Sequence, residues 1–305
     1  MIAIFRKAEG QPLQSVPELG PDVWVLSESP ESDELDRLSR ELGIERDLLQ
    51  DAVDPNEVPR VQEEHGIVYV FVRVPQGQGD KTVTVPALIA LGPTFILTLW
   101  QQRPAFMEKY LSGQNKFTTQ FRSQMLLRFI GEVYGAFGLS LTEIGRLVRG
   151  TLTESGRVEN KDILRLLTFE GILNDFMAAL VPLQTEFSEL TSGKVIQTYP
   201  ADKDLYEDVR LQGVQVNKSA GSLLKTTVNY RQAYSAIVNN NLNRVVKLLT
   251  AATVVLTFPM TVFSFYGMNV ALPIDMHAYA WEIIAGGTTL FTLVIVIFFF
   301  RNRWL

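Results

Sequence analysis

The chain of 305 residues contains no cysteine and only two histidines. The absence of cysteine excludes disulfide bonds, thiolate metal sites and cysteine nucleophiles, and therefore most redox and soft-metal enzymes. Basic side chains are scarce at the start, because residues 1–65 hold sixteen acidic and six basic residues, a local charge of −10 within a total of −5. This acidic region argues against nucleic-acid binding and is compatible with divalent cations.

Charged side chains are absent from two stretches near the end, residues 248–274 and 283–300. Each is long enough to cross about 30 Å of hydrocarbon as a helix. The sequence therefore predicts a membrane protein with two spans, and the N-terminus does not resemble a signal peptide. Basic residues flank the spans on the sides away from the short linker, which predicts a multi-pass protein of the cell membrane with both termini in the cytoplasm: Arg244, Lys247, Arg301 and Arg303.

The first hundred residues predict an α/β sandwich. A helix is expected over residues 32–42, and glycine and proline mark the turns between apolar runs typical of strands. The predicted strands cover residues 23–26, 67–74, 82–91 and 94–99.

Two helices with 3.6-residue periodicity are predicted next, separated near residues 150–156 and forming a hairpin. Their apolar seams contain Phe121, Phe129, Val133, Phe137, Leu141, Ile144 and Val148 in the first, and Leu166, Leu173, Phe176, Leu180, Leu183, Phe187 and Leu190 in the second. No proline lies between Pro200 and Pro259, so a third helix, with Asp202 as its N-cap, is expected to run through the first span over roughly 65 residues.

The first span carries its few polar residues in one stripe. They recur every three or four positions, which places them on one face of a helix: Thr250, Thr253, Thr257, Thr261 and Ser264. Such side chains often hydrogen-bond within their own helix or support helix packing, so each alone is weak evidence. Together they favour a water-facing surface, and because two spans cannot enclose a path, a pore requires several subunits. The second span has no comparable stripe and is expected to face lipid.

The segment Tyr266-Gly267-Met268-Asn269 ends the first span. Gly267 occupies the position expected of a C-terminal helix glycine. The neutral amide oxygen of Asn269 can accept hydrogen bonds from water coordinated to a cation without trapping the ion. Mg²⁺ sheds its water reluctantly, so the sequence indicates a hydrated Mg²⁺ ion at this position.

With these residues the chain resembles the CorA-type magnesium channels, whose signature is Tyr-Gly-Met-Asn after the first of two C-terminal spans. The asparagine-rich run at residues 239–250 is also similar, and the order of Trp24, Gly43-Ile44, Asp51 and Pro59-Arg60-Val61 agrees more loosely. The resemblance implies a funnel-shaped homopentamer, surrounded by lipid, in which membrane potential drives passive Mg²⁺ entry. No nucleic-acid partner is expected from the acidic composition, and no soluble protein partner is inferred.

Site residues follow from the resemblance by position. Asn243, Val246, Leu249, Thr257, Met260 and Ser264 are expected to line the pore, with Gly267, Met268 and Asn269 at its mouth. Asp51 and Asp208 correspond to carboxylates that bridge neighbouring subunits through regulatory Mg²⁺, so Mg²⁺ is both substrate and regulator. The sequence departs from the family pattern in two places. The outer loop, which contains Asp275 and His277, has few acidic residues, and Pro259 is displaced by one residue from the position of the usual kink.

The predicted fold is an α+β membrane protein with an N-terminal cytoplasmic α/β sandwich, a long helical stalk and two C-terminal transmembrane helices. The expected segments are the sandwich (1–115), a helical hairpin (116–200), the stalk (201–247), the first span (248–268), an outer loop (269–280), the second span (281–300) and a cytoplasmic tail (301–305).

Three alternatives remain. ZntB-like zinc transporters share this architecture, although the retained Met268 and the shortage of histidine and cysteine favour Mg²⁺, with Co²⁺ or Ni²⁺ as further cargo. A membrane-tethered sensor or scaffold would use the spans only as an anchor. An enzyme is not expected: residues 77–82 lack the spacing of a phosphate-binding loop, and His65 indicates a solvated turn.

Overall fold

The computed structural model of the protein describes residues 1–115, 117–153, 159–190, 202–270, 272, 279–302 and 304. It divides into two compact units, residues 1–231 and 232–305. The first unit contains a sheet with the helices packed on it and the first part of a long helix. The second contains the remainder of that helix and one further helix.

Seven strands form one mixed sheet in the order β2-β1-β3-β7-β6-β5-β4. Only the β3–β7 pair is parallel, with Val23 opposite Phe95. The four predicted strands are confirmed. Three were missed: β2 has only two residues, β1 lies in a short apolar run at the start of the chain, and β4 is a polar edge strand without an apolar signal. Their bounds are β1 Ile2–Arg6, β2 Gln14–Ser15, β3 Val23–Glu28, β4 Arg60–Glu64, β5 Ile67–Gln76, β6 Val83–Leu91 and β7 Phe95–Trp100.

Helices cover both faces of the sheet, because alternate strand residues point to opposite sides. On one face, α1 (Ser32–Leu42) and α2 (Arg46–Asp51) pack on a buried cluster that includes Val23, Val25 and Leu97. On the other face, the buried ring of Trp24 packs against Phe129 of α4 (Arg122–Thr153), with ring centroids 5.7 Å apart. A short helix, α3 (Met107–Leu111), precedes α4. The predicted sandwich is confirmed.

The two predicted seams of the helical hairpin are buried, with one exception. All the predicted seam residues of α5 (Asn160–Leu190) are buried, as are those of α4 from Phe129 to Val148. Phe121 was predicted to belong to the α4 seam, and this is wrong. It immediately precedes α4, and 45% of its surface is exposed. The apolar periodicity of the sequence therefore begins one turn before the residues of α4 that the sheet covers.

One helix, α6, runs from Lys203 to Tyr266, which is 64 residues and about 96 Å at 1.5 Å per residue. It continues through Pro259. The predicted cap by Asp202 is wrong. The buried Asp202 carboxylate accepts a hydrogen bond from Gln124 Nε2 at 2.6 Å through Oδ1, and Oδ2 has no hydrogen-bond partner.

The last helix, α7, spans Ala280–Arg301. Among the described residues, α5, α6 and α7 are long and apolar enough to cross a membrane. In α5, however, 44% of the most apolar window is buried within the protein, against 6% in α6 and in α7. Nearly half of this α5 window is thus covered by the rest of the protein, whereas the apolar surface of α6 and α7 requires lipid or other subunits.

Candidate functional site

One face of the membrane part of α6 packs against α7. Ala251 is fully buried, and the ring of Phe258 lies 4.6 Å from the ring of Phe291 of α7. Val255 and Val262, which lie on the same side of α6, are half-buried. These residues recur every three or four positions and therefore form a continuous contact face.

The predicted pore residues lie on the opposite face of α6. At 3.6 residues per turn, Thr253 and Ser264 are displaced by roughly half a turn from the face that contacts α7. The set extends over about 31 Å of helix, comparable to the hydrocarbon core of a membrane. All its members are exposed in the single chain, as is Thr261 of the hydroxyl stripe: Asn243, Val246, Leu249, Thr250, Thr253, Thr257, Met260 and Ser264.

Three threonines of this face hydrogen-bond to their own helix. Thr250 Oγ1 donates to the carbonyl of Val246 at 2.8 Å, and Thr253 Oγ1 donates to that of Leu249 at the same distance. Thr261 Oγ1 donates to Thr257 at 2.9 Å. The alternative interpretation of single threonines, a bond within their own helix, therefore applies to these three, although their side chains belong to exposed residues of the face.

The signature residues follow the last turn of α6. Gly267 N–H donates to the carbonyls of Phe263 at 3.0 Å and Ser264 at 3.3 Å, and its backbone does not take the left-handed conformation typical of a glycine cap. The expected position of Gly267 is confirmed, because α6 ends at Tyr266, but the helix ends without the left-handed turn. Met268 and Asn269 are exposed. Asp275 and His277 lie outside the described residues.

Asp51 lies at the end of α2 and is already paired. Its Oδ2 is 2.7 Å from the Arg60 guanidinium, which also forms an ion pair with Glu57. The guanidinium carbon of Arg60 lies 3.9 Å from the centre of the Phe71 ring. A cation that binds Asp51 must therefore compete with an arginine held in place by three contacts.

Asp208 is exposed on the first turns of α6. In the single chain no described contact joins it to Asp51. Nor do the described residues contain a group of three or more histidine, aspartate or glutamate side chains that could hold a metal ion. Asp51 and Asp208 thus each contribute one separate carboxylate to any metal site.

Arg60 and Glu282 are two residues that sequence reasoning missed. Arg60 is nine residues from Asp51, and no sequence pattern indicates their pairing. Glu282 lies exposed in the first turn of α7. It could have been found, since it and Asp275 are the only acidic residues between positions 248 and 300.

At the other end of α7, the Lys247 ammonium lies 6.0 Å from the centre of the Trp304 ring, and Arg303 lies outside the described residues.

The chain is similar to known proteins over nearly its whole length. The cobalt/magnesium transport protein CorA of Methanocaldococcus jannaschii is 21% identical over 294 residues, 93% of this chain and 91% of the relative. The complete structure of the CorA magnesium transporter from that organism superimposes with a TM-score of 0.83 at 18% identity, covering 100% of this chain and 99% of the other.

The chain is also similar to the isolated cytoplasmic domain of another protein. The ZntB cytoplasmic domain from Vibrio parahaemolyticus has a TM-score of 0.61 at 11% identity, covering 78% of this chain and 98% of that domain. The fold alone therefore does not distinguish the two kinds of transporter. The family described as CorA-like Mg²⁺ transporter protein matches residues 22–301. Together with the two apolar helices, this match shows that the chain belongs to the family of CorA-like Mg²⁺ transporter proteins, which carry divalent cations across membranes.

Proposed function

We propose that the protein is a channel through which membrane potential drives Mg²⁺ into the cell. The observation that carries this proposal is the exposed polar face of α6, which lies opposite the face packed on α7 and leads to Asn269. In a helix that served only as an anchor, hydroxyl groups bonded to their own helix could lie on any face, so their position on one face supports the proposal.

The proposed channel is a homo-oligomer, a pentamer by resemblance to the family. Two helices per chain cannot enclose water, so the polar face must meet copies of itself around an axis. In this arrangement α7 faces lipid, and both termini lie in the cytoplasm because Arg244, Lys247 and Arg301 cluster on that side.

The proposed gate consists of rings of Val246, Leu249 and Met260, which close by excluding water. All three side chains are exposed in the single chain, at 52%, 66% and 69%. Mg²⁺ bound between subunits at Asp51 and Asp208 would hold these rings together when internal Mg²⁺ is high. Loss of the ion would free the long helices to separate.

Mg²⁺ is the favoured cargo over Zn²⁺. The mouth offers the amide oxygen of Asn269, which suits a hydrated hard cation, while zinc prefers histidine and cysteine. The chain contains no cysteine, and its two histidines, His65 and His277, are far apart in sequence. Co²⁺ and Ni²⁺ are proposed as secondary cargo.

The proposal is tested by Mg²⁺ influx into proteoliposomes that contain a Mg²⁺-sensitive dye. Wild type should show influx, and Asn269→Ala should lose it because the mouth no longer holds the hydrated ion. Asn302→Ala, the same substitution beyond the far end of α7, is the control and should retain influx. No influx of Mg²⁺, Zn²⁺ or Co²⁺ in an assembled wild type would instead support a membrane-tethered sensor.

A further inference from the structure

A cavity of about 430 Å³ lies in the sheet-containing unit, and none of the proposed transport residues lines it. Its wall combines the segment after β1, the segment between α3 and α4, and the first two turns of α4. The lining includes Lys7, Glu9, Phe117, Phe121, Met125 and Arg128.

Lys7 is a largely buried residue whose ammonium has no counter-ion within the described part of the chain. Only 8% of its surface is exposed, and its ammonium donates to the carbonyl of Asn115 at 3.0 Å and lies 4.3 Å from the centre of the Phe117 ring. Among the described residues no carboxylate lies within 4.0 Å of it. Burial lowers the pKa of this amine, as expected for a charge that has lost water and gained no opposite charge.

Arg128 provides a second positive charge on the same wall. It projects from the second turn of α4, and the described residues provide no ion-pair partner for it. The N-terminal end of α4 further favours negative charge nearby. Glu9 is the one carboxylate in the lining, and it is exposed. The cavity therefore carries a net positive charge.

An apolar wall accompanies these cations. Phe121, predicted to be a core residue, instead exposes 45% of its surface at the cavity, next to the buried Phe117 and Met125. A half-exposed phenylalanine beside a buried aromatic ring forms a surface on which a flat apolar group can pack.

We propose that this cavity binds a small organic anion, with one carboxylate, sulfonate or phosphate group between Lys7 and Arg128 and a flat apolar body against Phe121. An inorganic anion would satisfy the two cations but leave the apolar wall in water. A neutral ligand would cover the wall but exclude water from the Lys7 ammonium without supplying an opposite charge, which is costly.

The test uses naphthalene-1-sulfonate as the probe and the full-length protein in detergent, with binding measured by calorimetry. Wild type should bind it more tightly than methanesulfonate, which lacks the ring. Arg128→Gln should weaken binding roughly tenfold or more, since a charge-assisted hydrogen bond is lost. Arg146→Gln, the same change at an exposed position of α4 outside the cavity, should bind as wild type does.

Two results would overturn the proposal: no binding of the probe by wild type, or equal binding by wild type and Arg128→Gln. Phe121→Ala should lose affinity for the naphthalene probe but not for methanesulfonate. Equal losses for both would contradict the role of the apolar wall. Neither measurement depends on Mg²⁺ transport, so this inference and the proposed function can fail separately.

Discussion

At the scale of residues, Asp51 has two possible partners. In the single chain Arg60 holds its carboxylate at 2.7 Å, and 42% of the Asp51 side chain remains exposed. An exposed ion pair of this kind contributes at most about 1 kcal/mol. For the proposed regulatory Mg²⁺, Arg60 is therefore a weak competitor, and Glu57 would keep the guanidinium nearby when Asp51 is released.

Arg60→Gln should accordingly make the channel close at lower internal Mg²⁺, by about fivefold at most, because a competitor worth about 1 kcal/mol is removed. Asp208→Ala should act in the opposite direction and leave flux high at millimolar internal Mg²⁺. The measurement is influx into proteoliposomes loaded with graded Mg²⁺. Arg37→Gln, which breaks a similar exposed pair with Glu41, is the control. Inhibition in Asp208→Ala that matched wild type would exclude Asp208 as a regulatory ligand.

At the scale of elements, α6 packs closely against α4 at a glycine, Gly213. A methyl group at Gly213 would lie 2.8 Å from Cζ of the Tyr134 ring, which is buried and cannot move aside easily. At Gly221 the closest atom would be the methyl carbon of Met177 at 3.9 Å, an ordinary contact. The two glycines thus have different roles within one helix.

Gly213→Ala should lower the free energy of unfolding by about 1 kcal/mol or more, because the overlap with Tyr134 costs about 1–3 kcal/mol and the gain in helix propensity offsets only part of it. Gly221→Ala should raise it by about 0.5–1 kcal/mol. Thermal unfolding of the purified protein in detergent compares them. If both variants were stabilised, the tight contact at Tyr134 would be disproved.

The two faces of α6 can be distinguished by chemical labelling, and the absence of cysteine from the chain leaves no background. Ser264→Cys, on the polar face, should react with a membrane-impermeant thiosulfonate, because the proposed pore supplies water there. Val262→Cys, on the face that packs on α7, should remain unlabelled. Equal labelling, measured by mass spectrometry of the intact protein, would rule out a water-filled path along the polar face.

The sequence predicted the helices and strands better than the contacts that their side chains make. Periodicity located the polar face of α6 and the seams of α4 and α5, since burial and chemistry repeat with the helix turn. It could not locate the half-exposed Phe121, because nothing in the sequence shows where the sheet stops covering α4. The Asp51–Arg60 pair was unpredictable for a related reason, as it depends on how the chain turns between α2 and β4.

At the scale of the whole molecule, the exposed apolar surface of α6 and α7 requires other copies or lipid. We expect the protein extracted in mild detergent to have the mass of a homopentamer by native mass spectrometry. A monomer that persisted at high protein concentration would contradict the proposed pore, because one polar face cannot surround an ion. The outer loop, with Asp275 and His277, lies outside the described residues, so its predicted role stays a prediction.

The threonine hydrogen bonds have a consequence for the sign of the ion. Thr250, Thr253 and Thr261 each give their hydroxyl hydrogen to a backbone carbonyl, so each oxygen presents only lone pairs to its surroundings. Water molecules around a cation point their hydrogens outward, and those around an anion point them inward. These three hydroxyls, as acceptors alone, therefore match the outer shell of a hydrated cation and mismatch that of an anion, without a single charged side chain on the membrane part of α6.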